Sequence, residues 1–101
     1  MTDLRTRSSE VAAPQLEKLL RAVRRAVPVP FTQRDAERAL AALHATDNLW
    51  EALRLSHVPM RALCAFWQCL VHEGLLSLKD GKLRFTPEGQ QFVNALGIAP
   101  V

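Results

Sequence analysis

The dipeptide Asp80-Gly81 constrains this chain more than any other feature, because it sits between two short apolar-alternating segments. Leu76 and Leu78 precede it, and Leu83 and Phe85 follow it. A two-residue turn joining antiparallel strands needs positive φ at both central positions, which Asp and Gly tolerate. The spacing predicts a two-stranded hairpin. Directly after it stands Thr86-Pro87-Glu88-Gly89. This order supplies a hydroxyl to cap a helix, a proline where the missing N–H costs least, and an acid against the helix dipole. The last helix then turns Phe92, Val93 and Leu96 inward and ends at Gly97.

Upstream of the hairpin the apolar period is helical. Residues 1–13 read as a flexible tail, and Pro14 as the first residue of a helix carrying Leu16, Leu19, Leu20, Val23 and Val27. Val27-Pro28-Val29-Pro30 stops that helix, since proline forces extended backbone on itself and on the residue before it. Thr32 with Asp35 three residues on predicts a capping-box start. That helix runs to about His44 with Ala36, Leu40 and Leu43 inward. Thr46-Asp47-Asn48 is a turn and a new cap, followed by a short helix with Leu49, Trp50 and Leu53. Pro59 opens a longer helix that reaches Glu73 and ends at Gly74. Consecutive helices with a tight turn before the third, then a two-stranded wing, specify a mainly α winged helix-turn-helix with an extra N-terminal helix. The domain is expected over 14–97, with 98–101 beginning a linker.

At 101 residues the chain is one domain's worth. No apolar run approaches the ~20 residues of a membrane span. The polar start, Met1 to Glu10, has no apolar signal core, so a cytoplasmic protein is expected. The net charge of +3 is concentrated at one end. Residues 1–25 hold six basic groups (Arg5, Arg7, Lys18, Arg21, Arg24, Arg25) against three acids, and the rest balances at seven each. Cys64 and Cys69 are five apart on a helical stretch, so they face different ways and cannot pair. His44, His57 and His72 fall on separate elements, and no nucleophile elbow, phosphate loop or metal-binding pair is present. No catalytic, cofactor or metal site is therefore expected in this chain. Trp50 and Trp67 stand among leucines and are expected in the core.

The helix from Pro59 to Glu73 would be the recognition helix of a DNA-binding winged helix. Arg61, Gln68 and His72 form one narrow polar stripe; most of the remainder is apolar. A helix apolar over most of its circumference is buried on more than one side. Met60, Cys64, Phe66, Trp67 and Val71 are therefore candidates for an interface with another domain or subunit. The alternative uses Arg61 and Gln68 on base edges, with Lys79, Lys82 and Arg84 of the wing on phosphates. Four cations beside Glu73 and Asp80 make a thin electrostatic footprint, which argues against nucleic acid as the partner.

From Val27 to Val101 the sequence resembles the N-terminal domain of branched-chain polyamine synthases, the bis(aminopropyl)spermidine synthases. The residues that carry the resemblance are Val27-Pro28, Ala39-Leu40-Ala41-Ala42, Asp47-Asn48-Leu49-Trp50, Val58-Pro59, Glu73-Gly74-Leu75-Leu76, Thr86-Pro87-Glu88-Gly89 and Gly97-Ile98. The resemblance implies a parent aminopropyltransferase, acting from decarboxylated S-adenosylmethionine on spermidine through a downstream catalytic domain. It implies that this domain packs on that domain or helps form a homodimer. It assigns no catalytic residue here. The alternative is a stand-alone winged-helix transcriptional regulator.

Overall fold

Seven elements follow one another in a computed structural model that describes the backbone of residues 4–99 and side chains from residue 12. They are α1 (Leu4–Ala26), α2 (Gln33–Ala45), α3 (Leu49–Ser56), α4 (Met60–His72), β1 (Leu76–Lys79), β2 (Lys82–Phe85) and α5 (Pro87–Ala95). This is the expected winged helix: α2, α3 and α4 form the helical core, the hairpin is the wing, and α1 is the addition. The cores of α1, α2, α4 and α5 meet around Leu19, Leu20, Leu40, Leu63, Phe66, Leu70 and Val93. Phe31, from the segment joining α1 to α2, sets its ring 5.2 Å from that of Phe66. The Arg24 guanidinium donates to the Phe31 carbonyl at 2.9 Å and fastens that proline-bounded segment to α1.

The local starts and stops agree with the capping chemistry. At α2 the Thr32 hydroxyl accepts the Asp35 N–H at 3.1 Å, and the Asp35 carboxylate accepts the Thr32 N–H at 2.9 Å. Asn48 and Thr86 cap α3 and α5 through their side-chain oxygens. Asp80 and Gly81 both take positive φ in the turn, and β1 pairs antiparallel with β2 in the register Leu76↔Phe85, Leu78↔Leu83. The Thr32 N–H leads the interactions that hold the Asp35 carboxyl below the ordinary carboxylate value; the Thr32 hydroxyl and Arg38 add to it, and partial burial opposes them. A carboxyl whose value is lowered by folding lends stability above its unfolded value and loses it as the pH falls through its folded value. Asp35→Ala should therefore cost about 1 kcal/mol at neutral pH. That cost should shrink on acidification, as urea denaturation across a pH series would read. A cost independent of pH would remove the charge from the account.

One boundary differs from the expectation. α1 begins at Leu4, so residues 4–13 are helical, and Pro14 lies inside the helix. A proline in a helix interior loses one hydrogen bond and costs about 3 kcal/mol. Ala12 before it and Leu16 after it are four apart on one face, and both are buried in the core. That burial on both sides of the proline carries the helix through. Met1–Asp3 and the last two residues of the expected linker, 100–101, lie outside the described residues.

Candidate functional site

The wing has two unlike faces. Leu76, Leu78, Leu83 and Phe85 share one, as the strand register requires. Leu76 and Leu83 are buried on the domain, while Leu78 is 51% exposed. Ser77, Lys79, Lys82 and Arg84 share the other face, and Lys79 stands opposite Lys82. Arg84 turns to the helix-turn-helix, where its guanidinium lies 3.6 Å from the Asp47 carboxylate. The Leu83 N–H donates to the Asp47 carbonyl at 2.9 Å, so β2 is tied to the turn that starts α3.

A cleft of about 530 Å³ opens at this junction, lined among others by His44, Asp47, Arg84, Phe85 and Gln90. The His44 ring packs edge-on to Phe85 and lies 3.3 Å from the Gln90 amide through Nε2. Its Nδ1 is buried and has no hydrogen-bond partner among the described residues. Three residues past Asp47, at the first turn of α3, the Trp50 side chain is 69% exposed. The expectation that Trp50 belongs to the core is thus corrected. Leu49 and Leu53 pack against the core from α3. Trp50, the next residue round the helix from Leu49, is left to solvent.

The α4 candidates divide. Phe66, expected at an interface, is instead fully buried in this chain's own core. Cys64, Trp67 and Val71 are half-buried, and Trp67 and Val71 pack against that same core; only Met60, 52% exposed, stands out from the helix. The wide apolar circumference of α4 has a cause inside the domain. α1 lies along α4, and β1 also packs on it, so α4 is covered from more than one direction. Lys18 of α1 reaches Glu73 at the end of α4, 3.1 Å away. Burial and the nearby Glu73 push the Cys69 thiol up, which lowers its thiolate fraction at neutral pH.

Arg61, Gln68 and His72 are exposed along α4. Of the basic residues counted on α1, Lys18, Arg21 and Arg24 are engaged within the domain. Among the described residues, no three His, Cys, Asp or Glu side chains are grouped to hold a metal ion. No helix there is long and apolar enough to cross a membrane. Sequence reasoning missed the cleft, which depends on where the wing lands, and the exposed indole, which depends on the face α3 turns to the core.

No family model matches the chain. Curated relatives are more informative. N(4)-bis(aminopropyl)spermidine synthase of Thermus thermophilus is 52% identical over 59 residues, 58% of this chain and 17% of that protein. The synthase of the same description from Methanocaldococcus jannaschii is 29% identical over 83 residues, 82% of this chain and 23% of that protein. Among solved structures, the branched-chain polyamine synthase of Thermus thermophilus, in complex with N4-aminopropylspermidine and 5′-methylthioadenosine, aligns with a TM-score of 0.64. That match is 44% identical and covers 71% of this chain and 22% of that one. The chain thus spans roughly a fifth of the length of these relatives.

Proposed function

We propose that this chain, homologous to the N-terminal part of branched-chain polyamine synthases, serves such a synthase as a non-catalytic domain that packs on the rest of the protein. In this reading the aminopropyl transfer to spermidine belongs to the remainder of the protein. The observation that carries it is the 52% identity confined to 17% of the relative's length. The three histidines support it by their separation, with His44 on α2, His57 in the turn after α3, and His72 at the end of α4.

The test replaces the matching N-terminal segment of the Thermus thermophilus synthase by this chain and compares the chimera with the parent and with the segment deleted. The chimera should make branched polyamine within about tenfold of the parent rate, as expected for related sequences with a shared core pattern. The deletion should be less active or less soluble. A chimera as defective as the deletion would sink the reading.

The regulator reading draws on one observation, the alignment of Lys79, Lys82 and Arg84 on the outward wing face. It predicts duplex binding that weakens with salt in proportion to the phosphates neutralised. Arg84 is already engaged with Asp47, which leaves that face two lysines at the turn, Lys79 and Lys82, with no ion pair among the described residues.

A further inference from the structure

Three large apolar side chains stand exposed among the described residues, Trp50, Met60 and Leu78, one each on α3, α4 and β1. An exposed apolar residue by itself is ordinary. What differs is the company each keeps. Four positions on from Trp50, on the same side of α3, stands Arg54, exposed and paired with Glu51. Leu76 and Leu83, which share the wing face of Leu78, are buried. Four, seven and eleven positions on from Met60 stand Cys64, Trp67 and Val71, all half-buried. At 3.6 residues per turn these four lie within an arc of about 60° on α4. We infer that this stripe is a docking surface, and that its occupant is the remainder of the synthase chain. This inference rests on the domain-packing reading above and names the surface that reading leaves open.

Composition and burial agree on the place. Arg61, Gln68 and His72 run beside the stripe and are exposed, while Ala62, Leu63, Phe66 and Leu70 on the rest of the helix are buried in the core. An apolar strip with a polar border is the anatomy of a contact surface, where tryptophan, methionine and arginine are enriched. Trp67 and Val71 rest one side on the core, whereas Met60 and Cys64 lie outside that cluster. The Trp67 Nε1 has no hydrogen-bond partner among the described residues, so packing alone sets the angle of its ring.

Magnitude selects the occupant. From Met60 to Val71 the stripe runs about 16 Å along a helix about 10 Å across, so it offers on the order of 200 Å² at most. A second copy of this chain held by association alone needs about 800 Å² from each partner. The stripe does not supply it, even with its polar border. In the solved relative the match takes up 22% of the chain, and the rest is joined to it covalently. Tethering gives an effective concentration in the millimolar range, at which a smaller contact holds.

Cys64 lies within the stripe and gives the test a probe. Iodoacetamide alkylation, read peptide by peptide in a mass spectrometer, compares this chain alone with the same chain in the chimera. The Cys64 rate should fall at least about tenfold in the chimera, which corresponds to docking by about 1.4 kcal/mol. Cys69, five positions on and turned to another side of α4, packs on the core and should change little. Met60→Glu should return the Cys64 rate in the chimera towards that of the isolated chain, and leave the unfolding temperature of the isolated chain nearly unchanged. Equal slowing of both cysteines would mean general stabilisation and would overturn the proposal. An active chimera in which Cys64 reacts as fast as in the isolated chain would overturn it too, and would leave the packing reading standing on another surface. A chimera as inactive as the deletion, with Cys64 open, would overturn both.

Discussion

Gly89→Ala should destabilise the domain by about 3 kcal/mol or more, against the sign that helix propensity alone would give. Alanine is favoured over glycine in a helix by about 1 kcal/mol. At this position, however, a Cβ would lie 1.7 Å from the Leu75 carbonyl oxygen and 2.7 Å from its carbon. Neither is the end of a flexible side chain. The Leu75 carbonyl is held where it is, accepting the Thr86 N–H at 3.1 Å, while the Thr86 hydroxyl donates to the Gly74 carbonyl at 2.6 Å. The methyl group must push α5 away from the start of β1 and break this knot. Overpacking that moves backbone costs at least 1–3 kcal/mol, and the lost hydrogen bonds add to it. Urea denaturation followed by far-ultraviolet circular dichroism would measure the change. A variant as stable as the parent would mean that α5 does not pack on Leu75.

Phe66→Ala should cost about 3–5 kcal/mol, the usual range for emptying a buried aromatic site. Domains of this kind hold only about 5–15 kcal/mol in total, so the variant should be largely unfolded on modest warming. The ring is fully buried and meets Phe31 at 5.2 Å, so its removal also strands the segment that carries Phe31. Trp50→Ala in the same chain should move stability by no more than about 0.5 kcal/mol, as for an exposed residue. The larger aromatic thus has the smaller effect. Denaturant midpoints of the two variants would settle it, and a large loss from Trp50→Ala would place the indole inside the fold.

These two predictions separate what was legible in the residues from what was not. The capping box at Thr32 and Asp35, the Asp80-Gly81 turn and the Thr86-Pro87 start are all made within about four residues, so their chemistry can be read along the chain. The inward positions of α2 and α5 follow from periodicity for the same reason. The resemblance of the Val27–Val101 segment was legible too, and the homology bears it out.

Periodicity gives the angle of a side chain about its helix axis but not what lies at that angle. The apolar girth of α4 suggested an external partner, and α1 and β1 of the same chain cover much of it, leaving Met60 exposed and Cys64, Trp67 and Val71 half-buried. Trp50 looked like core and lies outside it, because α3 spends its apolar face through Leu49 and Leu53. Pro14 marked a helix start by its own chemistry, yet burial of Ala12 and Leu16 on either side carries the helix past it. The close approach at Gly89 belongs to neither helix nor strand alone. Local chemistry along these 101 residues sets where each element begins, turns and ends. Which faces meet, which indole is left to solvent and where the cleft opens are decided by packing between residues far apart in the chain.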